Sequence, residues 1–266
     1  MNFAIRKTAA AIMFGAALVA SQLAQAASVQ VYSNDFEGAP TVGVGVTAAI
    51  AGAGGTESSQ GYSAHGFGTM LYRNASGDPA PPVSTTLTLS GLQAHTSISL
   101  GFLLAVIDSW DGKAANGCAP DLFNVKLDGA SIFSTDFGNV RDGSCGTHPQ
   151  TYGTANALLF PGPLNIDNTS TSTNVGFNPR WNDAAYDMAL ESLFQNILHT
   201  GGTATLEFFA SGGGWQGGSD ESWGIDNVKV TLNGVTPDNN VPEPGSLALV
   251  GLGLAGLAAI RRRQYF

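Results

Sequence analysis

The chain has 266 residues, with 20 acidic against 11 basic side chains, a net charge of −9, only 12% charged residues and 35 glycines. Such an acidic balance excludes a surface built to neutralise phosphate backbones, so no nucleic acid is expected as a partner. Sparse charge and abundant glycine favour short strands and turns over long helices.

Arg6 and Lys7 precede an apolar stretch from Thr8 to Ala20, and Ala24-Gln25-Ala26 supplies small residues for a cleavage site. This is the layout of a secretory signal peptide, so residues 1–26 are expected to direct export through the Sec machinery as a signal helix and then be removed. Between this segment and the C-terminal tail the basic residues are Arg73, Lys113, Lys126, Arg141, Arg180 and Lys229. Every acidic residue but Glu243 lies there too, for a net charge of about −13 that suits divalent cations better than polyanions.

Residues 28–235 read as one all-β domain. Period-two alternation marks Ser28 to Ser33, Thr86 to Leu89 and Thr96 to Phe102, the last running into a fully apolar Leu103 to Ile107. Asp121 to Leu127 and Ser131 to Thr135 flank Asp128-Gly129, a pair suited to the positive φ angles of a tight hairpin turn. Thr203 to Phe209 and Trp223 to Leu232 complete at least seven strands. With no alternating βα pattern, the expected fold is an antiparallel β-sandwich of jelly-roll type.

One helix is expected within it. Asn182 or Asp183 would cap a segment whose Tyr186, Leu190, Leu193, Phe194, Ile197 and Leu198 fall on one stripe before Gly201-Gly202. His199 would then sit at its C-terminus, where the helix dipole favours a positive imidazole. Thr41 to Gly61 and Gly138 to Thr173 are loop-rich and receive no assignment. Cys118 and Cys145, in an exported chain, are expected to form a disulfide, with a Cys145-His148 nucleophile pair as the alternative.

Residues 236–241 read as a linker. Beyond it, Pro242-Glu243-Pro244 leads through Gly245 into the apolar run Ser246 to Ile260, which stops at Arg261-Arg262-Arg263. Arginines stay on the cytoplasmic side while an apolar run enters the bilayer. A helix of some 15 residues is about 22 Å long against a hydrocarbon core of about 30 Å, so it suits transient inner-membrane association better than permanent anchoring. This order of elements in residues 242–266 resembles the PEP-CTERM sorting domain. The resemblance implies an exosortase as partner, cleavage near the motif, and delivery to the cell surface or the extracellular polysaccharide matrix. Gly251-Leu252-Gly253-Leu254-Ala255-Gly256 matches a dinucleotide-binding pattern but follows no strand, so no nucleotide is expected.

Two constellations could carry chemistry. Asn34-Asp35-Phe36-Glu37-Gly38 follows the first strand, and Ile225-Asp226-Asn227-Val228 lies in the last, where a bulge would let Ile225 and Val228 share one face and turn Asp226 to the other. The two segments resemble the terminal strands of jelly-roll carbohydrate-binding modules, which implies a structural Ca²⁺ held by Glu37 and Asp226, with Asp35 as a further ligand. Oxygen donors are what Ca²⁺ requires. The plain alternative is that these are edge-strand charges.

The second constellation joins Asp108-Ser109-Trp110-Asp111 and Asp121 to Trp215, Asp220 and Glu221 in Gly-rich loops. An indole beside carboxylates suits a sugar, through stacking and hydroxyl contacts; equally, Trp215 could be a packing lid and Asp108 a turn former. Paired carboxylates also serve glycoside hydrolysis, for which Asp108, Asp111, Asp220 and Glu221 are the candidates and their separation decides. No H-E-x-x-H or G-x-S-x-G occurs, and the four histidines show no ligand spacing. The expectation is thus an exported, non-enzymatic surface or matrix protein that binds exopolysaccharide or another glycan, with a secreted glycan hydrolase as the alternative.

Overall fold

A computed structural model describes residues 27–76, 83–113, 119–139, 151–153, 155–162, 183–218 and 220–235, with glycines 251 and 253. The signal segment, the linker, the motif residues Pro242, Glu243, Pro244, Arg261, Arg262 and Arg263, and both Cys118 and Cys145 lie outside these residues. Among the described residues the strands are β1 (Ala27–Asn34), β2 (Thr41–Val42), β3 (Thr47–Gly52), β4 (Gly55–Ser58), β5 (Met70–Asn74), β6 (Thr85–Ser90) and β7 (Ser97–Asp108). They continue as β8 (Asp121–Leu127), β9 (Ala130–Asp136), β10 (Ala157–Gly162), β11 (Asp183–Asp187), β12 (Ile197–Leu198), β13 (Thr203–Gly212) and β14 (Glu221–Val235).

All pairings are antiparallel, and they form two sheets packed as a sandwich. One runs β10-β11-β7-β14-β1-β2, with β5 also on β14, β4 on β5 and β12 on β7; the other runs β3-β6-β13-β8-β9. The apolar run of β7 has its reason here. Ile98, Leu100, Phe102, Leu104 and Val106 face the space between the sheets. Ala105 and Ile107 face the other way, where Tyr62, Phe67 and Leu71 cover the outer surface. A strand buried on both faces loses alternation and becomes continuously apolar. Phe102 meets Phe123 and Phe208 of the opposite sheet at 6.2 and 5.5 Å between ring centroids.

The β8–β9 hairpin turns at Asp128 and Gly129, with φ of 51° and 81°, as the Asp-Gly pair predicts. The bulge expected in the last strand is also present. Between Asp226 and Lys229 the register against β7 shifts, and Asn227 adopts φ 49°. At this bulge β14 exchanges β5, paired with Trp223 to Ile225, for β1, paired with Val228 onward. Ile225 and Val228 both reach the core.

The expected helix after Asn182 is absent. Asp183–Asp187 is strand β11, paired with Leu103 to Val106 of β7. Two single 3₁₀ turns follow, Met188–Leu190 and Ser192–Phe194. Asp187 and Glu191 each accept the backbone N–H two residues on, an Asx-type contact that offers the backbone an alternative to a helix. Of the predicted stripe, Tyr186 and Phe194 are buried, while Leu190, Leu193 and Leu198 are 65, 58 and 85% exposed. His199 therefore caps no helix.

Candidate functional site

The bulge of β14 aims Asp226 at the segment between Gly66 and Met70. Its Oδ2 accepts the Gly68 N–H at 2.9 Å and its Oδ1 the Asn227 N–H at 2.6 Å. Glu37, beyond β1, reaches the same segment, accepting from the Met70 N–H at 2.8 Å and the Thr69 hydroxyl. Asp35 Oδ1 caps the Glu37 N–H. Residue 68 must be small, because a Cβ there would collide with Glu37 Oε1. Asp226 and Glu37 thus meet the same short segment at one corner, with Asp35 beside Glu37. Burial pushes the Asp226 carboxyl up, and the charges of Asp35 and Glu37 add to this, whereas the Thr69 and Met70 hydrogen bonds hold Glu37 down.

The donor chemistry of this corner, all oxygen and net negative, is what a hard divalent cation takes. The spacing is set by backbone N–H groups: both oxygens of Asp226 and both of Glu37 already accept from the 66–70 segment or its neighbour. Among the described residues no three His, Cys, Asp or Glu side chains converge closely enough to hold a metal ion.

The second constellation lies where β7 ends and β8 and β14 begin. Asp108 closes β7 with φ 69° and is the Cα partner of Glu221 on β14. The chain reverses there, and the Trp110 indole is fully buried, donating to the Ser222 carbonyl at 2.8 Å. Trp215 lies edge-on to Trp110, 4.9 Å between centroids, and donates to the Ser76 carbonyl at 3.1 Å. Trp215 is half-buried, so of the two predicted sugar-stacking rings it alone presents surface; Trp110 packs beneath it.

Below the two tryptophans sit buried carboxyls. Asp121 and Glu221 lie close enough for each to perturb the other's ionisation. Asp121 Oδ2 accepts the Asp111 N–H at 2.6 Å, and Glu221 Oε2 accepts the Gln216 N–H at 2.7 Å. Asp121 Oδ1 is buried without a hydrogen-bond partner. Burial raises Asp121 to about 7 and Glu221 to about 9, each also pushed up by the other members of the cluster, Asp111 and Asp220 among them. Asp220 and Asp111 are half-buried at the rim, and the Asp220 carbonyl accepts both the N–H and the hydroxyl of Ser109.

Sequence reasoning missed a third layer of this end. Asp183 is fully buried and accepts from the Tyr62 hydroxyl at 3.3 Å and the Asp108 N–H at 3.2 Å. Burial, then the charges of Asp183 and Asp108, hold the Tyr62 phenol well above its usual range. Arg73, on β5, is 5% exposed and donates to Ser222 Oγ at 2.9 Å and to Glu57 at 3.4 Å. Residues 57, 62, 73 and 183 are brought together only by the covering segment around β5 and by β11, neither of which local pattern reveals.

The fold and these two sites define a closed antiparallel β-sandwich with an acidic corner and an acidic, tryptophan-covered end. Residues 240–263 match the PEP-CTERM protein-sorting motif. The chain is therefore an exported protein carrying a C-terminal signal for exosortase processing. No curated protein matches it. Among solved structures, a chain from the structure of the Gx strain of infectious bursal disease virus aligns at 15% identity and a TM-score of 0.27. The alignment covers 73% of this chain and 34% of the viral one, so this chain spans about a third of the viral chain's length. A superposition that loose carries no argument.

Proposed function

We propose that this is a non-enzymatic component of the cell surface or its polysaccharide matrix, whose folded body binds a glycan at the rim formed by Trp215, Gln216, Asp111 and Asp220. The observation that carries the non-enzymatic part is the burial of the hydrolase candidates. Of Asp108, Asp111, Asp220 and Glu221, Asp108 and Glu221 are at most 1% exposed. A glycosidase needs both carboxyls open to the sugar or to a water beside it. Only Asp111 and Asp220 reach the rim.

The rim supports the binding part. A half-buried indole next to side-chain amide and carboxylate oxygens matches what a sugar's apolar face and hydroxyls require. A Ca²⁺ held by Glu37 and Asp226, with backbone and water oxygens completing its shell, belongs to the same reading. It would neutralise these two carboxylates and secure the first strand, the last strand and the 66–70 segment together.

Retention of the exported protein on immobilised acidic and neutral polysaccharides, with Ca²⁺ present, tests this reading. Retention that is lost in Trp215→Ala, in a variant that melts like the parent, is the expected result. Absence of retention on every polysaccharide removes the glycan, and turnover of a polysaccharide that Glu221→Gln abolishes establishes the hydrolase instead.

A further inference from the structure

At the other end of the sandwich, two histidines 104 residues apart in sequence face each other. His95 lies in the connection from β6 to β7 and His199 in the connection from β12 to β13, and both connections cross between the sheets. The rings are 6 and 8% exposed. His95 Nε2 is 2.7 Å from His199 Nδ1. The ring planes lie within 18° of each other with centroids 5.0 Å apart, so the rings meet edge to edge through these nitrogens.

The outer nitrogens fix the proton count. His95 Nδ1 is 2.7 Å from the Gln93 carbonyl, which only accepts, so this nitrogen carries a hydrogen. His199 Nε2 is 3.1 Å from the Thr203 carbonyl and 3.1 Å from Asp128 Oδ2, and it too must donate. Two neutral rings would then point lone pairs at each other across 2.7 Å. A third proton between them turns that repulsion into a charge-assisted hydrogen bond and leaves the pair with one positive charge, which Asp128 balances.

We propose that His95 and His199 hold a single shared proton and form a pH-sensitive clamp across the two crossovers at the root of the sorting tail. The clamp reaches that root directly. Thr96, next to His95, donates from its N–H and its hydroxyl to the Asn233 carbonyl at 2.9 and 3.2 Å, two residues before β14 ends. Leu92 N–H and Gly202 carbonyl, flanking the two rings, are bonded at 3.0 Å. The charged group facing the pair is Asp128, from the β8–β9 turn. Lys126 on β8 and Glu207 on β13 are paired with each other at 3.7 Å. Removal of the shared proton by base breaks the bridge, and the facing lone pairs then drive the crossovers apart. The spacing belongs to a proton: two Zn–N bonds of about 2.0–2.1 Å would hold the nitrogens farther apart.

Amide hydrogen exchange on the full chain, corrected for intrinsic rates, tests the clamp at pH 5.5 and pH 8.5. Using the Glu221→Gln background removes the carboxyl that burial raises furthest at the opposite end of the sandwich. Protection at residues 91–96 and 199–202 should fall by about tenfold or more at the higher pH while the centre of β7 keeps its protection. In His95→Gln and His199→Gln the pH difference should vanish. Equal protection of the parent at both pH values overturns the proposal, whether or not the variants fold. So does an unchanged pH difference in the variants, or loss of protection at pH 5.5 on adding EDTA, which would assign the nitrogens to a metal ion.

Discussion

The carboxyls of Glu221 and Asp121 belong to one buried cluster beside Trp110 and Trp215, with both side chains sealed from water. Burial disfavours the charged form of each. Both carboxyls titrate higher in the folded protein than in the unfolded chain, where they sit near 4. The folded state therefore binds more protons, and stability is fullest in mild acid and falls as pH rises toward about 7 and then about 9. Thermal melts from pH 5 to pH 9 should show a declining midpoint. Glu221→Gln removes one of the two raised carboxyls, and its amide oxygen still accepts from the Gln216 N–H. It should flatten the decline and stabilise the protein at pH 8 by about 1–2 kcal/mol. A parent midpoint that rises across this range contradicts the raised carboxyls.

Asp226 offers two oxygens to two backbone N–H groups, so Asp226→Asn must turn an amide N–H₂ against one of them. We expect a loss of about 2–3 kcal/mol in urea unfolding despite the isosteric change. Asp35→Asn, at the exposed edge of the same corner, should stay within about 0.5 kcal/mol.

Ca²⁺ is tested by melting with and without EDTA. A bound cation raises the midpoint by mass action, so chelation should lower it, and the effect should disappear in Glu37→Gln. Identical curves before and after chelation would leave the corner held by its hydrogen bonds alone.

Trp110 and Trp215 should separate stability from binding. Trp110→Ala removes a fully buried indole and leaves the Ser222 carbonyl without its donor, at a cost of about 3–5 kcal/mol. Trp215→Ala should cost far less stability, about 1–2 kcal/mol, yet abolish retention on polysaccharide. Equal destabilisation by the two variants would make Trp215 part of the core.

Features encoded by neighbours were legible. Asp128-Gly129 states its own turn, and the spacing of Ile225 and Val228 states its own bulge. The juxtaposition of Glu37 with Asp226 was reachable because first and last strands pair. The stripe at 186–198 misled because period 3.6 records only spacing. Here Ala184, Ala185 and Tyr186 are buried by the free edge of β7, and Asp187 and Glu191 cap single turns. The edge partner is invisible to local pattern, and so is the meeting of His95 with His199, which depends on two crossovers arriving at one end. Asp121 was noticed as a strand opener, but its approach to Glu221 joins strands of the two different sheets.

The position of β14 has a mechanical consequence. This strand spans the sandwich from the Trp215 end to the end where the tail leaves, flanked along its length by β7 on one side and by β5 and then β1 on the other. A pull between a ligand held at one end and the tail at the other would load these bonds in shear, many at once, instead of peeling them singly. In an exported protein, the strand that carries the address would also be the strand that carries the load.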